Sequence, residues 1–158
     1  MKRLLYVCLG NICRSPSAEG VTRNLLVERG LEDRIEVDSA GTGSWHVGEQ
    51  ADPRMRQAAR RRGYDLDGRA RQVRPEELVE WDLVVAMDLG NLEELQGMPE
   101  AEAVNLRLFS EFLPSRSPRD VPDPYYGGES GFDRVLDLLE EGCPRIVEHL
   151  LDADREQE

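Results

Sequence analysis

The ten residues Val7-Cys8-Leu9-Gly10-Asn11-Ile12-Cys13-Arg14-Ser15-Pro16 constrain this chain more than any other stretch. The apolar run Leu4-Leu5-Tyr6-Val7 leading into them reads as a buried strand. Ser15-Pro16 at their end reads as a helix start, because proline is tolerated in the first turn. A strand, a tight loop and a helix N-terminus together make an anion cradle. Backbone N–H groups converge inward, and the helix dipole adds positive potential. Gly10 and Asn11 suit a loop of unusual backbone angles, since these two residue types tolerate the left-handed region best.

The remaining pattern supplies a fold for that cradle. Strand signals lie at residues 2–8, 34–39, 82–87 and 103–109, and helical patterns at 16–29, 53–62, 75–81, 91–96 and 132–151. Mostly continuous apolar strands alternating with helices predict an α/β fold: one four-stranded parallel sheet, helices on both faces, and a phosphate-binding loop after strand 1. Ligands of such sheets bind beyond the carboxyl ends of the strands, where strand order reverses, and Cys8 lies at such an end. Residues 1–158 read as a single domain, with 152–158 a frayed polar tail. Pro144, in Gly142-Cys143-Pro144, predicts a kink or break in the last helix. Residues 41–52 and 110–131 are loops long enough to expect function from them.

Charge narrows the partners. Acidic residues outnumber basic ones 32 to 20, for a formal net charge of −12, which argues against nucleic acid and anionic membranes. Any anionic substrate must therefore be held by local features. No stretch has the length of a membrane span and no secretory signal is visible, so the expected location is cytoplasmic. Three cysteines in that setting predict no disulfide framework. His46 and His149 are too scattered for a metal site, and no cofactor is called for.

Cys8 is the candidate nucleophile: the cradle favours a thiolate, and a thiolate attacking a phosphate monoester splits one hard displacement into two easier ones. Arg14 presents a planar fork matching two phosphoryl oxygens. Ser15 can donate its hydroxyl to the Cys8 sulfur or serve as a plain helix cap. The expected phosphate-binding set is Leu9, Gly10, Asn11, Ile12, Cys13, Arg14 and Ser15. A departing alcohol or phenol oxygen is a poor leaving group as the bare anion and needs a proton. Asp123, between Pro122 and Pro124, is the expected general acid; the bland alternative is a turn aspartate. Ile12, Trp45, Tyr125 and Tyr126 would form the walls of an aromatic slot. Cys13 shares the loop with Cys8 and forms a candidate redox pair with it; packing as a small apolar residue is the alternative. The basic residues Arg54, Arg56, Arg60, Arg61, Arg62, Arg69, Arg71 and Arg74 read as a solvated helical face, or as a rim that steers acidic phosphopeptides.

The Cys-x-x-x-x-x-Arg-Ser spacing is that of cysteine-dependent phosphatases. With Asp123-Pro124-Tyr125-Tyr126, Val37-Asp38-Ser39-Ala40-Gly41, Ala70-Arg71-Gln72 and Ala86-Met87-Asp88 followed by Asn91, nearly the whole chain resembles the low-molecular-weight protein tyrosine phosphatases. The resemblance implies phosphotyrosine hydrolysis through a phosphocysteine, with Cys8 as nucleophile, Arg14 as clamp, Asp123 as acid and base, and Asn11 holding the loop by side-chain bonds. It implies phosphotyrosine proteins as partners, a bacterial tyrosine kinase among them, and leaves the oligomeric state open. Many members carry a histidine two residues before Ala-Arg-Gln that supports the loop asparagine. Gly68 stands there instead, so that support must come from Ser39 or water. Asp88 resembles an acidic residue near the family's loop.

Three rivals remain. An arsenate reductase on the same fold needs a further cysteine pair, and this chain has only Cys143 beyond the loop. A phosphoarginine phosphatase resembles this chain but carries threonine where Ile12 stands. A non-catalytic phosphate or phosphotyrosine sensor predicts loss of Cys8 or Asp123, and both are present.

Overall fold

The computed structural model describes residues 1–156, apart from the side chains of Tyr126, Asp154 and Glu156. Strand β1 (Lys2–Cys8) runs between β2 (Ile35–Gly41) and β3 (Leu83–Ala86), and β4 (Leu106–Leu108) pairs with the outer side of β3. All pairings are parallel, in the order β2-β1-β3-β4. Leu4, Tyr6, Ile35, Val37, Leu83 and Val85 belong to one core. There they meet Val21 of α1 (Arg14–Arg29), Met55 of α2 (Pro53–Arg61) and Leu136 and Ile146 of α4 (Ser130–Glu156). Leu5, Val7, Val84 and Ala86 form a second core on the other face with Leu95 of α3 (Leu89–Gln96), Val73, Leu78 and Trp81. Because β1 is covered on both sides, its sequence is a continuous apolar run rather than an alternating one. Each large aliphatic side chain buried this way is worth about 1.5–3 kcal/mol.

This topology positions the site. The chain leaves β1 for β2 on one side and then crosses to β3 on the other side, so the strand order reverses between β1 and β3. Cys8 ends β1, and Asp88 follows β3 directly. Gly41 closes β2 against the loop: a Cβ there would lie 2.7 Å from the Leu9 carbonyl oxygen and 3.1 Å from the Asn11 nitrogen. Glycine is what allows the backbone to approach this closely.

The structure departs from the sequence expectations in several elements. Helix α1 starts at Arg14, two residues before Pro16, which lies inside its first turn. Residues 75–81 make a 3₁₀ turn, Pro75–Glu80, not an α-helix. The strand expected at 103–109 shrinks to Leu106–Leu108, flanked by 3₁₀ turns Pro99–Ala103 and Phe109–Phe112. Helix α4 does not break at Pro144: Gly142, Cys143, Ile146 and Val147 are buried on both sides of it and hold the two halves in one line of packing. The same helix runs on through Asp152 to Glu156, with an Arg155–Asp152 ion pair of 2.9 Å in its last turn, while the last two residues of the expected polar tail, 157–158, lie outside the described residues.

Candidate active site

The loop between β1 and α1 curls around the Cys8 sulfur. The Asn11 backbone N–H donates to Sγ at 3.3 Å, and the Ser15 hydroxyl lies 3.0 Å from it. Ser15 is inside α1 and caps nothing; the N-cap position is Cys13, with no side-chain bond. The Ser15 oxygen accepts from Asn11 Nδ2 at 2.8 Å, which leaves its single proton for Cys8 Sγ or, at 3.3 Å, for the Ala40 carbonyl. The positive end of the α1 dipole completes the cradle.

Asn11 is the tie-bar of the loop. Its backbone is left-handed at φ 57°, and its buried side chain makes three bonds. Nδ2 donates to Ser15 and, at 3.0 Å, to the Ser39 hydroxyl; Oδ1 accepts from the Arg71 backbone N–H at 3.0 Å. Ser39 in turn donates to Glu19 Oε1 at 2.7 Å. The place left by Gly68 is thus made good by Ser39 and by the backbone at Arg71. Arg71 itself is clamped by Glu77, both contacts at 2.8 Å, and by Asp38 at 3.2 Å. Burial alone would raise the Glu77 carboxyl, but Arg71, the Arg74 N–H and Trp81 outweigh it and hold it below the ordinary carboxylate range.

Arg14 is buried, and three groups receive it. Its NH1 donates to Asp88 Oδ2 at 2.5 Å and to the Val121 carbonyl at 3.0 Å; its NH2 is 3.6 Å from Asp123 Oδ2. Burial would lower its pKa, but Cys8, Asp88 and Asp123 together raise it, so the guanidinium stays charged. Asp88 also caps α3, with Oδ1 accepting from the Asn91 N–H at 2.7 Å. The loop carrying Asp123 is pinned beside β3: the Val121 N–H donates to the Met87 carbonyl at 3.0 Å, and Asp120 accepts from the Leu89 N–H at 3.0 Å. Asp123 caps the turn Pro124–Tyr126 through a 3.0 Å bond from the Tyr125 N–H. It is therefore both the turn aspartate and a carboxyl facing the loop.

A cavity of about 450 Å³ collects these groups. Cys8, Leu9, Gly10, Ile12, Cys13, Arg14, Trp45, His46, Asp123 and Tyr125 line it. Asn11 and Ser15 stand behind the loop rather than in the cavity. Trp45 is 72% exposed, and its ring covers Gly43 so closely that a Cβ there would be 1.9 Å from it. Ile12 and Tyr125 form the other walls; the side chain of Tyr126 lies outside the described residues. Burial raises the Cys13 thiol well above its ordinary pKa, with Asp52 and Cys8 adding to the effect, so Cys13 stays protonated beside Cys8. Cys143 is far from the site on α4, buried against Tyr6 and Ala18. Sequence reasoning missed His46, which lies over Gly10, pairs with Glu49 and meets Tyr125 at 5.9 Å between rings. It also missed Asp120, Glu19 and Glu77, whose roles depend on contacts between distant segments.

The model of the low molecular weight phosphotyrosine protein phosphatases matches residues 3–157. The chain belongs to this family. It is 45% identical over 159 residues to the low molecular weight protein-tyrosine-phosphatase of Streptomyces coelicolor, covering 98% of this chain and 94% of that one. It is 44% identical over 143 residues to low molecular weight protein-tyrosine phosphatase A of Mycobacterium tuberculosis, covering 89% and 86%. A crystal structure of the protein tyrosine phosphatase of Entamoeba histolytica, with Hepes in its active site, superposes with a TM-score of 0.92 at 41% identity, over 98% of this chain and 99% of that one. A drosophila arginine phosphatase superposes with a TM-score of 0.87 at 32% identity, over 94% and 97%. These two structures share the fold of this chain over nearly its whole length.

Proposed function

We propose that this phosphatase hydrolyses phosphotyrosine in proteins through a phosphocysteine on Cys8. One observation carries the reading: a buried sulfur, bonded by the Asn11 N–H and facing the Ser15 hydroxyl, lines the same cavity as Arg14 and Asp123. The Cys8 thiolate attacks phosphorus, the bond to the phenolic oxygen breaks, and protonated Asp123 gives its proton to that oxygen. Arg14 and the loop amides gain strength as charge spreads over the equatorial oxygens. In the second step Asp123, now a carboxylate, takes a proton from water as the water attacks phosphocysteine. Phosphate leaves, and the Ser15 hydroxyl receives the returning thiolate.

The aromatic walls support tyrosine over serine, because a short phosphoserine side chain would leave Trp45 and Tyr125 unfilled. Ile12 offers no acceptor to a guanidinium, which supports tyrosine over arginine. Arsenate reduction lacks its relay thiol, since Cys143 is buried away from the cavity. No helix among the described residues is long and apolar enough to cross a membrane. A reducing cytoplasm, where the Cys8 sulfur stays unoxidised, suits the chemistry, and a bacterial tyrosine kinase is a fitting protein substrate. Under peroxide, Cys8 becomes a sulfenic acid. Attack by Cys13 sulfur then forms a Cys8–Cys13 disulfide and releases water. The test is turnover of phosphotyrosine, phosphoserine and phosphoarginine peptides by wild type and Cys8→Ser. Phosphotyrosine should be hydrolysed best, and Cys8→Ser should be dead yet still bind vanadate. Equal rates on phosphoserine and phosphotyrosine would overturn the substrate assignment; turnover by Cys8→Ser would overturn the nucleophile.

A further inference from the structure

A second groove, about 410 Å³, adjoins the catalytic cavity and shares with it the walls Ile12, His46 and Tyr125. The shared wall gives a peptide with its phosphotyrosine in the cavity a direct path for its flanking residues into that groove. The groove contains two carboxylates, and both are engaged: Asp52 caps α2 and holds Arg54 at 2.9 Å, and Glu49 pairs with His46. It also contains Arg56 and Arg69, and neither has a carboxylate within 4.0 Å among the described residues. Each is instead fixed to backbone, Arg56 Nε to the Ala51 carbonyl at 3.0 Å and Arg69 NH1 to the Gly48 carbonyl at 3.2 Å. Those bonds orient the two guanidinium forks and leave their other N–H groups open.

With 32 acidic residues against 20 basic ones, carboxylates are abundant, and several arginines near the groove hold one: Arg54 with Asp52, Arg71 with Asp38 and Glu77, Arg62 with α4. Two forks without carboxylates beside the catalytic mouth make a local positive patch on an acidic protein, and its field is felt within roughly 10 Å.

We propose that Arg56 and Arg69 form a subsite for a carboxylate side chain flanking the phosphotyrosine, so that the substrates are phosphotyrosine segments with a nearby aspartate or glutamate. The proposal rests on the phosphotyrosine reading of the cavity. A guanidinium fork takes a carboxylate in two parallel hydrogen bonds, which gives orientation as well as attraction. Such rim contacts act on capture more than on chemistry, so the preference belongs in KM and not in kcat.

The experiment compares kcat/KM for phosphotyrosine peptides that differ only in flanking glutamate, alanine or lysine, at low and high salt, with p-nitrophenyl phosphate as the substrate without flanks. Wild type should favour the glutamate peptide over the alanine peptide by about threefold to tenfold, the scale of one or two rim ion pairs, and less so at high salt. Arg56→Gln and Arg69→Gln should each shrink that preference, and Arg69→Glu should turn it towards lysine, with p-nitrophenyl phosphate turnover unchanged. If Arg56→Gln fails to fold, Arg69→Gln, on an exposed side chain, carries the same test. No preference in wild type, or a preference that survives both substitutions, overturns the subsite. Failure to cleave any phosphotyrosine peptide while p-nitrophenyl phosphate is turned over would instead overturn the phosphoprotein reading beneath it.

Discussion

Asn11 is the residue whose loss should say most about how the loop is held. Asn11→Gly removes three buried hydrogen bonds, to Ser15, Ser39 and the Arg71 N–H. At about 1 kcal/mol net each, the loss is about 3 kcal/mol. For a chain of 158 residues, a drop of roughly 2–4 °C per kcal/mol makes this about 6–12 °C in Tm. Asn11→Ala loses the same bonds and must also hold a Cβ at φ 57°. Left-handed strain of about 1–2 kcal/mol, less the extra chain entropy of glycine, leaves alanine below glycine by about 1 kcal/mol. Both variants lose the tie between Cys8 and Arg71, and a loop displaced by about 1 Å costs about 10²-fold in kcat. Thermal melts and p-nitrophenyl phosphate kinetics measure both effects. A melt of Asn11→Ala within about 2 °C of wild type would show that the three bonds do not hold the loop. Glycine melting below alanine would refute the strain argument.

Asp123→Asn should slow phosphotyrosine hydrolysis by about 10²–10³-fold and aryl phosphates with acidic phenols far less; equal losses across leaving groups would remove Asp123 as the acid. Glu77→Gln should cost about 2 kcal/mol at pH 7, since Arg71, the Arg74 N–H and Trp81 lose a charged acceptor. The folded Glu77 carboxyl is held below its ordinary range. Its stabilisation is therefore complete above the unfolded pKa of about 4.3 and fades as pH falls through the folded value. Urea melts should show the gap between variant and wild type closing below about pH 4, and a gap constant with pH would contradict this. After peroxide and then dithiothreitol, wild type should recover most of its activity and Cys13→Ser should not. Equal recovery would leave Cys13 as packing alone.

The sequence made some of this legible because it was local. Cys8, Arg14 and Ser15 lie within one loop and one helical turn, so spacing alone brings them together, and β1 announces itself by being apolar on both faces. Features that fail to show in sequence depend on distant partners. Asn11 and Arg71 are sixty positions apart, and nothing in Ala70-Arg71-Gln72 says that the useful atom is a backbone N–H. Asp88 stands in a quotable motif, but its double duty to α3 and Arg14 needed coordinates. Element boundaries failed for a simpler reason. Proline opens the 3₁₀ turns at Pro75, Pro99 and Pro124 just as it opens an α-helix, and six residues are too few to separate the two periods. At Pro144 the helix runs on without the break that the sequence allowed, because burial on both sides of it outweighs one missing hydrogen bond.

How a protein of net charge −12 receives a dianion follows from what surrounds Arg14. In the free enzyme its guanidinium faces two carboxylates, Asp88 at 2.5 Å and Asp123 at 3.6 Å. Asp88 is fixed by its cap on α3 and cannot leave without exposing the Asn91 N–H. Asp123 is the weaker and more distant partner, on a turn at the cavity mouth. Protonation of Asp123, as the proposed general acid, removes one of those two carboxylates and leaves the Arg14–Asp88 pair neutral rather than negative towards the phosphoryl oxygens. On the proposed mechanism the same protonation supplies the acid for the leaving tyrosine oxygen. Binding the dianion and arming the general acid are therefore, on that mechanism, one event at Asp123, and once Asp123 gives up the proton it took from the attacking water, its carboxylate competes with phosphate for Arg14, which favours release of the product. An Asp123→Asn enzyme should accordingly hold inorganic phosphate more tightly than wild type at pH 7 even as its turnover falls. An inhibition constant for phosphate that is unchanged or weaker would refute this coupling.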